Sequence, residues 1–292
     1  MRLLRYMRLH TAGTIGAAAL LTVIVLIAVI WFLRAGRRGP VEPAKAVFIG
    51  TADDADCALL LSRGSCVMID TGEEQDSERI LAAMKENGVT AVDCMILTHP
   101  DKDHIGGAAA VAESVEVRQV LVPDYGKKDA RYRALLEQLE ERSIPVKVLE
   151  RQKRDRYGDL SLRVYPPARR SYKNDNDYSL AVLVQHGGVR MFFAGDAKKK
   201  RIEEFGRYGL RTVDLYKVAH HGRDNAKGAE FIARLKPKIA VVTASAPEDK
   251  IAKALMKAGT KVYCTVPNRT VTAVSDGEAI RVTAEGQVET EK

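Results

Sequence analysis

Histidine, cysteine and aromatic residues are all scarce in this chain: six His and four Cys among 292 residues, with aromatics at 6%. So few aromatics leave no stacking platform, which argues against tight, sequence-independent binding of single-stranded nucleic acid. Cys57, Cys66, Cys94 and Cys264 form no CxxC pair and lie within or beside apolar runs, so they read as buried free thiols. Adjacent strands could set Cys66 level with Cys94, a pairing that would point to an oxidising compartment. There is no nucleophilic serine or cysteine motif, no solenoid-type repeat and no low-complexity tract. Acid is also missing before Pro40, where Arg2, Arg5, Arg8, Arg34, Arg37 and Arg38 supply much of the net charge of +8. The remainder of the chain is close to neutral, so its basic character says little about the substrate. Local basic clusters at residues 127–133, 151–156, 169–173 and 198–201 read mainly as solvated faces, although each could touch phosphates.

The uncharged, strongly apolar stretch over residues 11–33 is long enough to cross a hydrocarbon core of ~30 Å as a helix. Trp31, Phe32 and Leu33 run directly into Arg34 with no small-residue cleavage site, which predicts an uncleaved anchor. A short basic tail ahead of a long folded domain is expected to leave the tail in the cytoplasm and the folded domain outside it. The expected organisation is a membrane anchor over residues 1–34, a Gly- and Pro-containing linker over 35–45, and one domain over 46–292.

In that domain the runs AVFIG, CALLLS and CVMID read as strands, the last two joined through Arg63-Gly64, a hairpin signal. Strand and helix patterns then alternate: helices near residues 77–87, 105–114, 129–142, 201–208 and 226–235, and strands near 92–98, 117–122, 160–165, 179–185, 189–194, 213–218 and 239–243. Two mixed sheets with outer helices fit this order.

Four of the six histidines fall in two places. THPDKDHIGG carries His99, Asp101, Asp103 and His104 immediately after a strand, and KVAHHG carries His220 and His221 after another. At a strand's C-terminal end His99 and Asp101 point together, while Asp103 and His104 open the next helix, so one short segment can feed two metal positions. The bland reading is a capped helix with exposed histidines. Asp70 after CVMI and Asp196 after MFFAG follow strands in the same way. Each alone reads as a turn or cap aspartate, but together they would gather at one sheet edge.

With these residues the chain resembles the metallo-β-lactamase superfamily, and within it the hydrolase domain of the ComEC/Rec2 competence proteins and their free-standing relatives. The shared motifs are Ile69-Asp70-Thr71-Gly72, the run from Thr98 to Gly107, Asn176-Asp177-Tyr178-Ser179-Leu180, Gly195-Asp196, and Lys217-Val218-Ala219-His220-His221-Gly222. The resemblance implies a four-layer αββα sandwich of the α/β (α+β) class, ahead of which the apolar stretch predicts one transmembrane helix. It implies that His99 and Asp101 hold one divalent ion, while Asp103, His104 and one of His220 and His221 hold a second. Asp196 would bridge the two, and Asp70 would orient a ligand histidine. An aspartate at position 101, where most of the superfamily has histidine, makes the site oxygen-richer; zinc ranks first and manganese second.

His186 lies between the run and Asp196, but a Gly187-Gly188 hairpin would hold it about ten residues from Asp196, out of reach at ~3.3 Å per residue. The same register sets Ser179 opposite Asp196, so Asn176, Asp177 and Ser179 border the site. The competence pattern Asp-Val-Gly-Gln-Gly-Asp keeps only its last residue here, Asp56, and Arg223 replaces the serine expected after HHG. Both changes fall on the substrate lip, where Arg223 could pair with a phosphate or carboxylate.

Two such ions activate a bridging hydroxide for attack on phosphorus or a carbonyl. Asp103 or Asp70 would orient it, and the unligated member of His220 and His221 would protonate the leaving oxygen. The expected substrate is a phosphoester, in nucleic acid or in a cell-wall phosphodiester. An acyl or β-lactam hydrolase and a catalytically silent membrane-tethered module are the alternatives, and no protein partner is inferable.

Overall fold

From Glu42 the chain opens as an antiparallel meander: β1 (Ala44–Phe48), β2 (Ala58–Ser62) and β3 (Ser65–Ile69). The computed structural model describes residues 41–284 and, ahead of them, residues 22, 23, 25, 26 and 29. The chain divides into two units, Met1–Val41 and Glu42–Lys292. Apart from those five residues, the membrane helix and most of the linker expected from the sequence lie outside the described residues; among those described, no helix is long and apolar enough to cross a membrane.

Arg63 and Gly64 close the β2–β3 hairpin with φ of 48° and 75°, a turn with two positive φ angles whose twist matches that of its strands. Then follow α1 (Ser77–Glu86), β4 (Ala91–Val92), β5 (Cys94–Ile96), α2 (Lys102–Ile105), α3 (Ala108–Ser114), β6 (Glu116–Val117), β7 (Val120–Pro123), α4 (Ala130–Glu141) and β8 (Val146–Leu149). β3, β5, β7 and β8 are mutually parallel. The second half begins with an antiparallel ladder, β9 (Lys153–Tyr157), β10 (Leu160–Tyr165), β11 (Ala181–His186) and β12 (Val189–Phe193). It continues in parallel through α5 (Lys199–Phe205), β13 (Leu215–Lys217), α6 (Gly228–Leu235), β14 (Ile239–Val242), α7 (Asp249–Lys257) and β15 (Lys261–Cys264). Finally β16 (Val271–Ser275) and β17 (Ile280–Ala284) return to pair beside β1.

The result is an eight-stranded and a seven-stranded sheet, with β4 and β6 as a small separate pair. Strand alternation builds the layers. Phe48, Val67 and Ile69 of the first sheet meet Val182, Val184, Met191 and Phe193 of the second in an inter-sheet core. Val47, Cys66 and Met68 point the other way, onto α1, α3 and α4, and Leu183, Phe192 and Tyr216 onto α5, α6 and α7. The architecture is a mixed α/β sandwich with helices on both outer faces.

Several elements differ from the sequence reading. The strand expected over residues 92–98 breaks at Asp93, whose carboxylate accepts the Cys66 amide at 2.8 Å and pairs with Arg118. The helix expected over residues 105–114 begins earlier, at Lys102, and is interrupted at Gly106-Gly107. A Cβ on Gly107 would lie 2.3 Å from the Thr71 carbonyl, so only glycine lets this segment pack against the turn after β3. β9 went unread because KRDRY has no apolar run, as suits an edge strand kept soluble by charge. The Cys66–Cys94 pairing is corrected: register sets Val67, not Cys66, beside Cys94. Alternation therefore turns the two thiols to opposite faces of the sheet, and all four cysteines are free.

Candidate metal centre

The candidate ligands gather beyond the C-terminal ends of strands, where an open α/β sheet collects its functional residues, with Asp103 and His104 in the short helix α2 that follows β5. Asp70 follows β3, His99 follows β5, Asp196 follows β12, and the tandem histidines follow β13. The backbone there is strained. Asp70, His220 and His221 all adopt positive φ, between 53° and 57°, which non-glycine residues tolerate only where surrounding structure enforces it. Gly195 (φ 53°) has no room for a side chain, since a Cβ would fall 2.9 Å from Ser179 Oγ.

Asp103, His104, Asp196 and His221 bring their donor atoms within 4.8 Å of one another. His104 Nε2 lies 3.2 Å from Asp196 Oδ1, and His221 Nε2 lies 3.1 Å from Asp196 Oδ2 and 3.2 Å from Asp103 Oδ2. His220 Nε2 stands farther off, 4.0 Å from Asp196 Oδ2, so the second histidine of the tandem is the one inside the cluster. The His99 ring packs against the His104 ring at 4.1 Å between centroids, and its Nε2 lies 3.4 Å from Asp101 Oδ2. His99 and Asp101 thus flank the four-residue group without closing a compact group of their own.

A supporting layer fixes these side chains. Asp70 accepts the Thr98 amide on Oδ1 at 2.7 Å, and on Oδ2 meets the Thr98 hydroxyl at 2.8 Å and His104 Nδ1 at 2.8 Å. Asp56 accepts from Lys217 and, at 2.6 Å, from the Thr243 hydroxyl, with His221 Nδ1 3.4 Å away. His104 and His221 therefore each have Nδ1 held by oxygen, His221 through Thr243 Oγ1 at 3.0 Å, which turns Nε2 forward. Asp56, Asp70 and His104 also form a compact acidic group, but its carboxylates are already spent on these donors.

The forward atoms are different. His99 Nε2, His104 Nε2 and Asp196 Oδ1 are buried with no hydrogen-bond partner among the described residues, a costly state that a bound cation would relieve. Five carboxylates (Asp56, Asp70, Asp101, Asp103, Asp196) against the Lys217 ammonium leave the pocket in need of positive charge. Burial by itself would lower His104, yet Asp196, Asp70 and Asp56 hold its pKa well above the ordinary value. His221 behaves likewise, with Asp196 and Asp56 overcoming burial. Asp196 goes the opposite way: burial would raise it, but His221 and His104 keep it well below the carboxylate range. At His220 burial outweighs the attraction of Asp196 and pushes the pKa down to about 4. Imidazoles and carboxylates of this kind suit a borderline divalent ion.

The expected lip residues mostly serve the framework. The hairpin register extends to set Ser179 beside Asp196, whose amide donates to Ser179 Oγ at 3.0 Å. Asn176 Nδ2 donates to Asp196 Oδ2 at 3.3 Å. Asp177 does not face the site: its Oδ1 accepts the Lys198 and Arg201 amides at the start of α5. Asp70 likewise cannot orient an attacking water, since both its oxygens are engaged behind His104. Arg223 pairs with Asp54 across the exposed rim at 3.2 Å. His186 lies far along β11, bonded through Nδ1 to Ser275 Oγ at 2.8 Å. Sequence reasoning gave no role to Lys217, Thr243 or Thr98. Lys217 was visible inside its motif, but nothing in the sequence marked Thr243.

This chain belongs to the metallo-β-lactamase superfamily, whose family model matches residues 50–245. Within it the chain is similar to the competence proteins of the ComEC/Rec2 kind. It is 27% identical over 246 residues to ComE operon protein 3 of Bacillus subtilis (strain 168), covering 76% of this chain and 32% of that protein. It is 23% identical over 191 residues to Recombination protein 2 of Haemophilus influenzae, covering 63% and 22%. The chain thus spans about a third or less of the length of these curated relatives. Among solved structures, the metallo-β-lactamase fold protein YhfI from Bacillus subtilis superposes with a TM-score of 0.52 at 12% identity, over 83% of this chain and 100% of that one. Family, fold and ligand cluster together support a metal-dependent hydrolase that binds divalent ions.

Proposed function

We propose that this chain is a membrane-anchored, binuclear metal-dependent phosphoester hydrolase, using zinc or, second, manganese, with its catalytic domain outside the cytoplasm. The observation that carries the reading is the compact group of Asp103, His104, Asp196 and His221, in which His104 Nε2 and Asp196 Oδ1 are buried without hydrogen-bond partners among the described residues, with His99 Nε2 likewise unpartnered beside it. Asp103, His104, Asp196 and His221 would hold one ion, and His99 and Asp101 would serve the other, with Asp196 shared. Such ions, when bound, supply Lewis acidity and make water acidic enough to act as a nucleophile near neutral pH.

The protein's own groups do the rest. Asp103 is the more open carboxylate of the cluster, with its side chain 23% exposed against 3% for Asp196, so it is the one placed to orient an incoming water. His220, neutral at physiological pH and with a buried unpartnered Nδ1, is placed to relay a proton to the leaving oxygen. Asn176 and Ser179 keep Asp196 aimed. Relatives named for competence and recombination favour a phosphodiester substrate, in nucleic acid or the cell wall, over an acyl one.

The test is metal analysis of the purified full chain, together with a hydrolysis screen on bis-p-nitrophenyl phosphate, p-nitrophenyl phosphorylcholine, DNA and nitrocefin. Turnover of phosphodiesters with stoichiometric metal supports the reading. Turnover of nitrocefin alone moves it to acyl chemistry, and bound metal without turnover of any ester leaves a silent module.

A further inference from the structure

On the outer face of the seven-stranded sheet, away from the ligand cluster, the strand register gathers arginines. Arg154 on β9 stands directly opposite Arg163 on β10, and Arg156, Ser161, Gln185 and Arg190 form the neighbouring row across β9, β10, β11 and β12. A concavity of about 550 Å³ opens here, walled by Arg154, Arg156 and Arg163 with Ser161, Gln185 and Leu183. A carboxylate, Asp155, also lines it, but it is engaged by Lys153 and by Tyr157 Oη. Among the described residues Arg154, Arg156 and Arg163 have no ion-pair partner, and Arg163 donates only to Tyr165 Oη at 3.3 Å.

Charge on β9 alone would be ordinary edge protection. That explanation does not reach Arg163, which sits on an interior strand, half-buried and opposite a like charge. Like charges directly opposed across a ladder destabilise it, and among the described residues no carboxylate pairs with either arginine.

We propose that this arginine face docks the phosphate backbone of double-stranded DNA and feeds a long substrate to the ligand cluster. The choice of nucleic acid as occupant rests on the phosphodiester reading above. Planar guanidinium forks suit phosphate oxygens. The face presents no exposed aromatic side chain to stack on unpaired bases, which favours a duplex contacted through its backbone. Leu183 and Arg163 lie four residues along the ladder from Ser179, about 13 Å at ~3.3 Å per residue, and Gln185 about 20 Å. A bound duplex would therefore run about six base pairs at ~3.4 Å each between face and cluster.

The experiment titrates fluorescent 20-base-pair DNA with the full-length protein in detergent, chelator present, from 50 to 200 mM salt. The same preparations, loaded with metal, are assayed on bis-p-nitrophenyl phosphate. Three arginine contacts predict a salt slope steeper by about 2.7 for the native chain than for Arg154→Glu/Arg156→Glu/Arg163→Glu, and a loss of affinity of about tenfold or more. Hydrolysis of the small ester should be unchanged, and Lys250→Glu/Lys253→Glu/Lys257→Glu on α7 should bind DNA like the native chain. The single variant Arg163→Gln, with a smaller loss of affinity, covers the case in which the triple variant fails to fold. Equal slopes for native and variant chains overturn the proposal, as does a loss in the variant of binding to anionic phosphatidylserine vesicles but not to DNA. Failure of the native chain to hydrolyse any phosphodiester, with the DNA difference intact, removes the hydrolase reading and leaves the face standing.

Discussion

The two halves of the sandwich supply the ligand cluster in opposite ways. The first half delivers His99, Asp101, Asp103 and His104 within six consecutive residues, from the loop after β5 into α2. The second half delivers Asp196 and His221 from two separate strand ends, each held from behind by residues far away in sequence. Local chain geometry suffices for the first arrangement. The second exists only because parallel β12 and β13 put their C-terminal ends side by side, and because Asp56 and Thr243 hold His221 from the rear. A contiguous run should thus retain partial metal affinity when damaged, whereas the second half should lose function at single points.

The strongest way to break that contrast is Asp196→Ala. The expected outcome is a folded protein whose phosphodiesterase turnover falls about a thousandfold, or ~4 kcal/mol of barrier, with metal content reduced. Steady-state kinetics and metal analysis check it, and a variant retaining most of its turnover would show that the first half is sufficient. The tandem histidines sharpen the same point. His221→Ala should lose metal, whereas His220→Ala should keep its stoichiometry while kcat drops about a hundredfold as the proton relay is lost. Parallel metal titrations of the two variants decide it, and equal metal loss would return His220 to the ligand set.

A smaller effect tests the layer behind the first half. In Asp70→Asn the carboxylate that holds His104 Nδ1 becomes an amide, and metal affinity should fall ~10- to 100-fold, read by competition with a chelating dye. Behind the second half, Lys217→Met strands the buried Asp56 carboxylate and should destabilise the fold by ~3–5 kcal/mol. The double variant Asp56→Asn/Lys217→Met should recover part of that loss, and denaturant unfolding of the native chain, both single variants and the double variant gives the coupling. Last, chelation of the native protein should lower the melting temperature by several degrees, since metal at about 100 times its Kd adds ~2.7 kcal/mol. Calorimetry reads it.

Much of this was legible before any coordinates. Strand-period apolar runs ending in Asp or His located the sheet edge, and the Gly187-Gly188 hairpin register set Ser179 opposite Asp196. Less legible were residues whose role depends on a partner distant in sequence. Asp177 looked like a lip residue because it neighbours Asn176, but only the position of α5 makes it a cap for the Lys198 and Arg201 amides. Arg201 looked like part of a solvated basic cluster, yet it is fully buried, bonded to Glu204 at 2.8 Å and to the Ser179 carbonyl at 2.8 Å.

By itself the sequence determined most of the strand and helix order up to β14, and the segments that carry the candidate metal-seeking side chains, because hydrophobic period and ligand chemistry are local properties of a chain. Tertiary structure alone decided that His221 rather than His220 enters the cluster, that Asp56 and Lys217 lie behind it, and that Arg163 meets Arg154 on an open face. Those outcomes depend on the register between strands and on burial, and neither exists until distant segments have packed together.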